Sequence, residues 1–148
     1  QGVHLKEERK RKSGEEVPIP VPAGWEEGKS LAFAENPVTI VKKTSVFPER
    51  IEEKKYTKWL DYDKIIQSVV FRTRRSGDYL TIDDNFSKKS LKKYMIEEKI
   101  PANERNSMMV LADGNHIIWV PGGRISTYYR VTEQTRVILE VTCMEKQE

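Results

Sequence analysis

The sequence predicts an α+β fold: a mostly antiparallel sheet with one or two short helices packed on it, preceded by a small β-rich subdomain. Three observations carry this expectation. Short runs rich in β-branched and aromatic residues recur between clusters of Pro, Gly, Asn and Asp, the punctuation of strands and turns. Lys88–Lys99 carries apolar residues at helical spacing, Leu91, Tyr94 and Met95, with lysines opposite. No internal repeat or heptad pattern is present. At 148 residues, with 37% hydrophobic and 33% charged side chains, the chain suits one ordinary domain or a small domain with an appended subdomain.

Taken in order, residues 1–16 alternate charges densely and hold few apolar side chains, so they read as a charged linker or tail. Residues 17–66 read as a β-rich connecting subdomain. Val17–Gly24 sets a proline at every second position, which suits an edge strand or an extended polyproline-like arm. Leu31–Ala34, Val38–Val41, Ser45–Phe47 and Tyr56–Leu60 follow as short strands. Residues 67–148 form the second unit, whose first strand spans Ile66–Thr73. Ser87 is the expected N-cap of the helix over Lys88–Lys99, and Pro101 suits the first turn of another over Ala102–Asn106. Met108–Ala112 and His116–Val120 make a hairpin about Asp113-Gly114, and Pro121-Gly122-Gly123 makes a tight turn. Tyr128–Val131 and Arg136–Cys143 supply two further strands.

The formal charge of +3 hides an uneven distribution: from Arg72 to Lys93 there are seven basic and three acidic residues, and after Asn106 four basic and five acidic. Arg72, Arg74 and Arg75 follow the apolar run Val69-Val70-Phe71 and lead into a Ser-Gly-Asp turn. Lys88, Lys89, Lys92 and Lys93 are spaced to project from one short helix, with Arg105 and Arg124 as secondary candidates. Cations held at fixed spacing on ordered elements match successive phosphates, although a charge run also suits a merely solvated face. Tyr79 and Trp119 are candidate stacking rings, with Trp119 assigned to the core because it lies in an apolar strand. Asp61/Asp63 and Asp83/Asp84 suit turn and cap roles. No metal-ligand spacing, phosphate loop or nucleophile motif is found, so no catalytic residue is assigned. Cys143, the single cysteine, reads as a buried inert thiol. No apolar run reaches membrane-spanning length, and a reducing cytoplasm is the expected compartment. Because the chain begins Gln-Gly, it is expected to be a piece of something longer.

Five motifs occur in a fixed order: R-x-R-x-x-G-D, K-K-x-L-K-x-Y, I-P-x-x-x-R, an apolar strand ending Asp-Gly, and I-x-W-V-P-G-x-R-I. From about Val69 to Val141 this series resembles the C-terminal domain of the tRNA(Ile)-lysidine synthases. The resemblance implies a parent ligase that uses ATP and Mg to join lysine to the wobble cytidine of an isoleucine tRNA. The family's catalytic domain carries an S-G-G-x-D-S loop, which this chain lacks, so the chain itself is expected to be non-catalytic and without cofactor. The implied partners are isoleucine tRNA, engaged on its acceptor side, and the enzyme's own catalytic domain; neither membrane nor DNA is implied. A rival reading is an interaction module that docks on a catalytic domain or an acidic partner. The chain departs from the family pattern at Tyr79–Asp84, where two acids lower the loop's positive potential.

Overall fold

The apolar run Met109–Asp113 (β8) is buried at every position, because it is covered on both faces. Met109 and Leu111 pack with Leu60, Phe71, Trp119, Tyr129, Leu139 and Val141. Val110 and Ala112 pack on the other side with Leu80, Leu91, Tyr94, Met95 and Ile117. Double-sided burial explains why this strand reads as a continuous hydrophobic run with no alternation. Cutting a side chain such as Leu111 to alanine should cost about 2–5 kcal/mol.

The computed structural model describes residues 16–18, 30–35, 38–51, 54–67 and 69–143. Among them the strands are β1 (Glu16–Pro18), β2 (Ser30–Glu35), β3 (Val38–Thr44), β4 (Thr57–Asp61), β5 (Val70–Thr73), β6 (Tyr79–Thr81), β7 (Lys88–Ser90), β8, β9 (His116–Trp119) and β10 (Ile138–Cys143). The helices are α1 (Leu91–Glu97) and α2 (Ala102–Arg105). A six-stranded sheet runs β1-β5-β8-β9-β6-β7, and a four-stranded sheet runs β2-β3-β10-β4. Pairing is antiparallel except for the single parallel step of β6 beside β9, so the fold is α+β as expected. The last strand lies between β3 and β4, which unites residues 30–61 with the C-terminal strand in one sheet.

Several expected elements take a different form. Lys88–Ser90 is an edge strand paired with Tyr79–Thr81, and the helix begins only at Leu91. Ser90, three residues after the expected cap, accepts a hydrogen bond from the Lys93 N–H at 3.0 Å. Ser45–Phe47 is irregular, and Tyr128–Val131 gives way to a 3₁₀ turn over Thr127–Tyr129. In the β8–β9 hairpin the turn falls on Gly114 and Asn115, with Asp113 still in the strand. The Asp113 carboxylate accepts from the backbone N–H groups of Ile66 and Gln67 and from the Tyr129 hydroxyl, tying three segments together. Glu16–Pro18, where the charged segment meets the proline-rich stretch, form the edge strand on β5; residues 1–15 and 19–29 lie outside the described residues.

A bulge interrupts β9. Trp119 sits opposite Leu111 and Ile117 opposite Ala112, leaving Ile118 as an extra residue. Ile118 and Trp119 therefore join the same cluster, and the chain bends. Trp119 is fully buried, as expected, and Cys143 is a buried free thiol.

Candidate nucleic-acid interface

The site begins at the turn from β5 to β6. Asp78 donates its N–H to the Arg75 carbonyl at 3.2 Å, closing a tight turn. Gly77 stands at its third position with φ +89°, where a side chain would be strained. The Asp78 carboxylate organises the turn. It accepts from the Arg75 N–H at 2.7 Å, from Asn115 Nδ2 at 2.9 Å, and from both guanidinium nitrogens of Arg72 at 2.9 and 2.8 Å.

Arg72 is therefore not a surface cation. Its side chain and that of Asp78 are each only 1% exposed, and the same two guanidinium nitrogens also donate to the carbonyls of Thr73 and Gly114. The fork geometry of arginine suits this buried bidentate pair, and the Gly114-Asn115 turn bonds to both of its members. Assignment of Arg72 to RNA contact is corrected on that ground. Arg105 and Arg124 are also turned to the backbone: Arg105 Nε donates to the Ile100 carbonyl, and Arg124 donates to the carbonyls of Ile125 and Ile82.

The other cations remain at the surface but do not share one helix face. Arg74 is half-buried, with Nε donating to Asn106 Oδ1 at 2.9 Å, and Arg75 is exposed. Lys88 and Lys89 alternate across β7. Lys88 Nζ lies 4.6 Å from the Tyr79 ring centre, a cation–π distance. Lys89 points to the α1 side and pairs with Glu97, whose carboxyl is held below its usual value chiefly by that hydrogen bond. Lys92 and Lys93 are exposed on α1, whose face of Leu91, Tyr94 and Met95 is buried as the spacing predicts.

Arg74, Arg75, Lys88 and Lys92 border one open groove of about 820 Å³, floored by Ser76–Tyr79, Leu91 and Asn115. The elements converge there because the Leu91 N–H donates to the Asp78 carbonyl, which fixes α1 against the arginine turn. A second cavity of about 500 Å³ adjoins it, sharing Tyr79, Lys88 and Asn115. Four further rings gather about this cavity: His116, Tyr128, Tyr129 and Phe86. His116 stacks on Tyr79 at 4.7 Å because the two are register partners on neighbouring strands. Burial, aided by Lys88 and opposed by Asp113, lowers the His116 pKa to about 4, so the ring is neutral at pH 7. Burial first, then Asp113, raises the Tyr129 hydroxyl far above the usual tyrosine range.

Sequence reasoning singled out Tyr79 in this group and passed over the other rings. His116 and Tyr128 reach it only through the pairing of β6 with β9 and the 3₁₀ turn, neither of which has a local signal. The acidic pairs serve local structure: Asp61 accepts from the Asp63 N–H and the Thr135 hydroxyl, and Asp83 from the N–H groups of Asn85 and Ser87. Among the described residues no group of three or more His, Cys, Asp or Glu is placed to hold a metal ion, and no helix is long and apolar enough to cross a membrane.

A family model described as "TilS substrate C-terminal domain" matches residues 69–141, the span that builds the groove and both faces of β8. The chain is 37% identical over 86 residues to the tRNA(Ile)-lysidine synthase of Caldanaerobacter subterraneus subsp. tengcongensis, covering 58% of this chain and 18% of that protein. It is 36% identical over 105 residues to the tRNA(Ile)-lysidine synthase of Dehalococcoides mccartyi, covering 68% and 22%. These matches span about a fifth of the relatives' length. A solved structure described as "Crystal structure of TILS C-terminal domain" superposes with a TM-score of 0.68 at 24% identity, covering 90% of this chain and 99% of that one, and so shares its fold. Through residues 69–141, the chain belongs to the C-terminal domain family of the tRNA(Ile)-lysidine synthases.

Proposed function

We propose that this chain is a non-catalytic, tRNA-gripping portion of a tRNA(Ile)-lysidine synthase. The parent enzyme joins lysine to the wobble cytidine of an isoleucine tRNA with ATP and Mg, and this portion engages the tRNA on its acceptor side, far from the chemistry. One observation carries the reading: Arg74 and Arg75 from the turn, Lys88 from β7 and Lys92 from α1 surround a single groove. Family membership supports it, since the relatives are tRNA(Ile)-lysidine synthases.

The physics favours a duplex backbone as the occupant. The major groove of A-form RNA is too deep and narrow for side chains to read, so proteins hold it by phosphates and 2′-hydroxyls. The Asp78 carboxylate in the groove floor is neutralised by Arg72, leaving the rim cations to set the potential. Burial of Arg72 thus supports the groove without contacting its occupant.

The test is tRNA binding by the 148-residue chain across a salt series. The Lys88→Ala/Lys92→Ala variant should weaken binding and flatten the plot of log K against log salt by roughly 1–2, since each phosphate contact contributes on the order of 0.7–0.9. Lys89→Ala is the control, because that ammonium is held by Glu97 and should leave the slope nearly unchanged. An intact chain that fails to bind tRNA at low salt would overturn the reading in favour of a docking role.

A further inference from the structure

We infer that the aromatic cavity beside the basic groove receives one unpaired nucleobase of the RNA whose backbone lies in that groove. The inference rests on the groove being an RNA site. It begins from continuity: Tyr79, Lys88 and Asn115 line both spaces, so a strand leaving the groove passes directly into the cavity. The wall chemistry changes along that path from cationic to aromatic. Lys88 Nζ and Lys64 Nζ lie 4.6 and 4.8 Å from the ring centres of Tyr79 and Tyr128, which places positive charge beside the rings. This is the combination by which single-stranded nucleotides are held, a cationic track with rings on which bases stack.

A second, independent observation comes from Phe86. This ring lines the cavity, is 44% exposed, and meets Tyr128 edge-on at 5.3 Å. Its backbone sits at φ +59°, in the left-handed region that a bulky residue rarely adopts. The Phe86 N–H donates to the Asp83 carbonyl, and the Ile82 N–H to the Ser87 carbonyl, so this is a hairpin turn in which glycine or asparagine would be relaxed at residue 86. A strained phenylalanine with nearly half its surface in water is poorly accounted for by folding. An exposed ring at the mouth of an aromatic cavity is well accounted for by a flat ligand. The Gln67 amide at the rim adds a donor and an acceptor for a base edge.

The test uses two RNA hairpins with the same stem, one blunt and one ending in a single unpaired 3′ 2-aminopurine. The intact chain should bind the overhanging hairpin roughly 5- to 100-fold more tightly than the blunt one, with quenched 2-aminopurine fluorescence. Phe86→Gly relieves the backbone conformation, so it should leave the thermal midpoint and blunt-hairpin binding unchanged or improved while shrinking the overhang preference. Tyr128→Leu, read the same way, provides a second removal of ring surface. Equal affinity for the two hairpins, without quenching, would overturn the base pocket and leave the groove standing. A preference that survives both substitutions would also overturn it, by placing the base elsewhere. Failure of both hairpins to bind at low salt would remove the groove reading itself, and this inference with it.

Discussion

Arg72→Met should unfold the arginine turn from within, through stability and not through lost RNA contact. The Arg72 guanidinium makes two hydrogen bonds to Asp78 and one each to the carbonyls of Thr73 and Gly114. Methionine replaces the aliphatic stem but leaves a carboxylate buried without its counter-charge. Removing one partner of such a pair costs about 3–5 kcal/mol. Two donors to Asp78 persist, the Arg75 N–H and Asn115 Nδ2, which places the expected loss near the lower end, about 3 kcal/mol. With a urea m-value of roughly 1–2 kcal/mol/M, the unfolding midpoint should fall by about 1.5–3 M. Adding Asp78→Asn removes the stranded charge, so the double variant should be more stable than Arg72→Met alone. Urea titration of the two variants beside the parent chain decides the matter. A cost for Arg72→Met below about 1 kcal/mol would refute the structural assignment. So would a folded Arg72→Met protein whose salt slope for tRNA falls by the amount of one phosphate contact.

Two further outcomes are expected from local geometry. His116 has a folded pKa of about 4, below the unfolded value of about 6.5, so the unfolded chain binds the extra proton first. The stability held by the neutral ring is complete above pH 6.5 and lost as pH falls towards 4, by about 1–2 kcal/mol once its partial exposure is allowed for. Denaturation at stepped pH should show that decline, and His116→Asn should lack it. Ser90→Ala removes the oxygen that accepts from the Lys93 N–H and should cost about 1 kcal/mol by thermal melting; an unchanged melt would discount the cap.

The hairpin of β8 and β9 was legible because two-sided burial writes itself into the chain as an unbroken apolar run, with Asp-Gly-Asn between. The buried face of α1 was equally legible from Leu91, Tyr94 and Met95. The start of that helix was not. Ser87 and Ser90 are both able caps, and lysine favours helix, so local preference extends the helix back over Lys88 and Lys89. What prevents this is a non-local pairing, Lys88 with Thr81 and Ser90 with Tyr79, formed by strands of three residues that carry little signal of their own. Lysines on an exposed edge strand also discourage pairing with another chain, a function unrelated to RNA. Arg72 was misplaced for a similar reason: its burial depends on non-local partners, the Asp78 carboxylate folded back by the turn and the Gly114-Asn115 turn that bonds to both members of the pair. The Tyr128 segment has strand-like residues and yet forms a 3₁₀ turn, with the Tyr128 N–H donating to Thr81 Oγ1 and the Thr127 hydroxyl to the Asp83 carbonyl.

The two acids of the β6–β7 turn weigh differently in the sequence and in the fold. In sequence, Asp83 and Asp84 dilute the positive stretch and argue against phosphate. In the fold, neither carboxylate borders the groove of Arg74, Arg75, Lys88 and Lys92. Asp83 shapes its turn through the N–H groups of Ser87 and Asn85, bonds that hold its carboxyl below the usual value, Ser87 foremost, and Asp84 lies 3.7 Å from Arg130. The same turn carries Phe86 into the aromatic cavity. The two acids of this turn thus stand outside the groove, where the cations gather and phosphates would lie. On the proposed reading, Asp83→Asn/Asp84→Asn should therefore leave the salt slope for tRNA nearly unchanged, because neither carboxylate stands where phosphates would lie. A slope that steepens by the amount of one phosphate contact would instead place the acids at the groove and refute that arrangement.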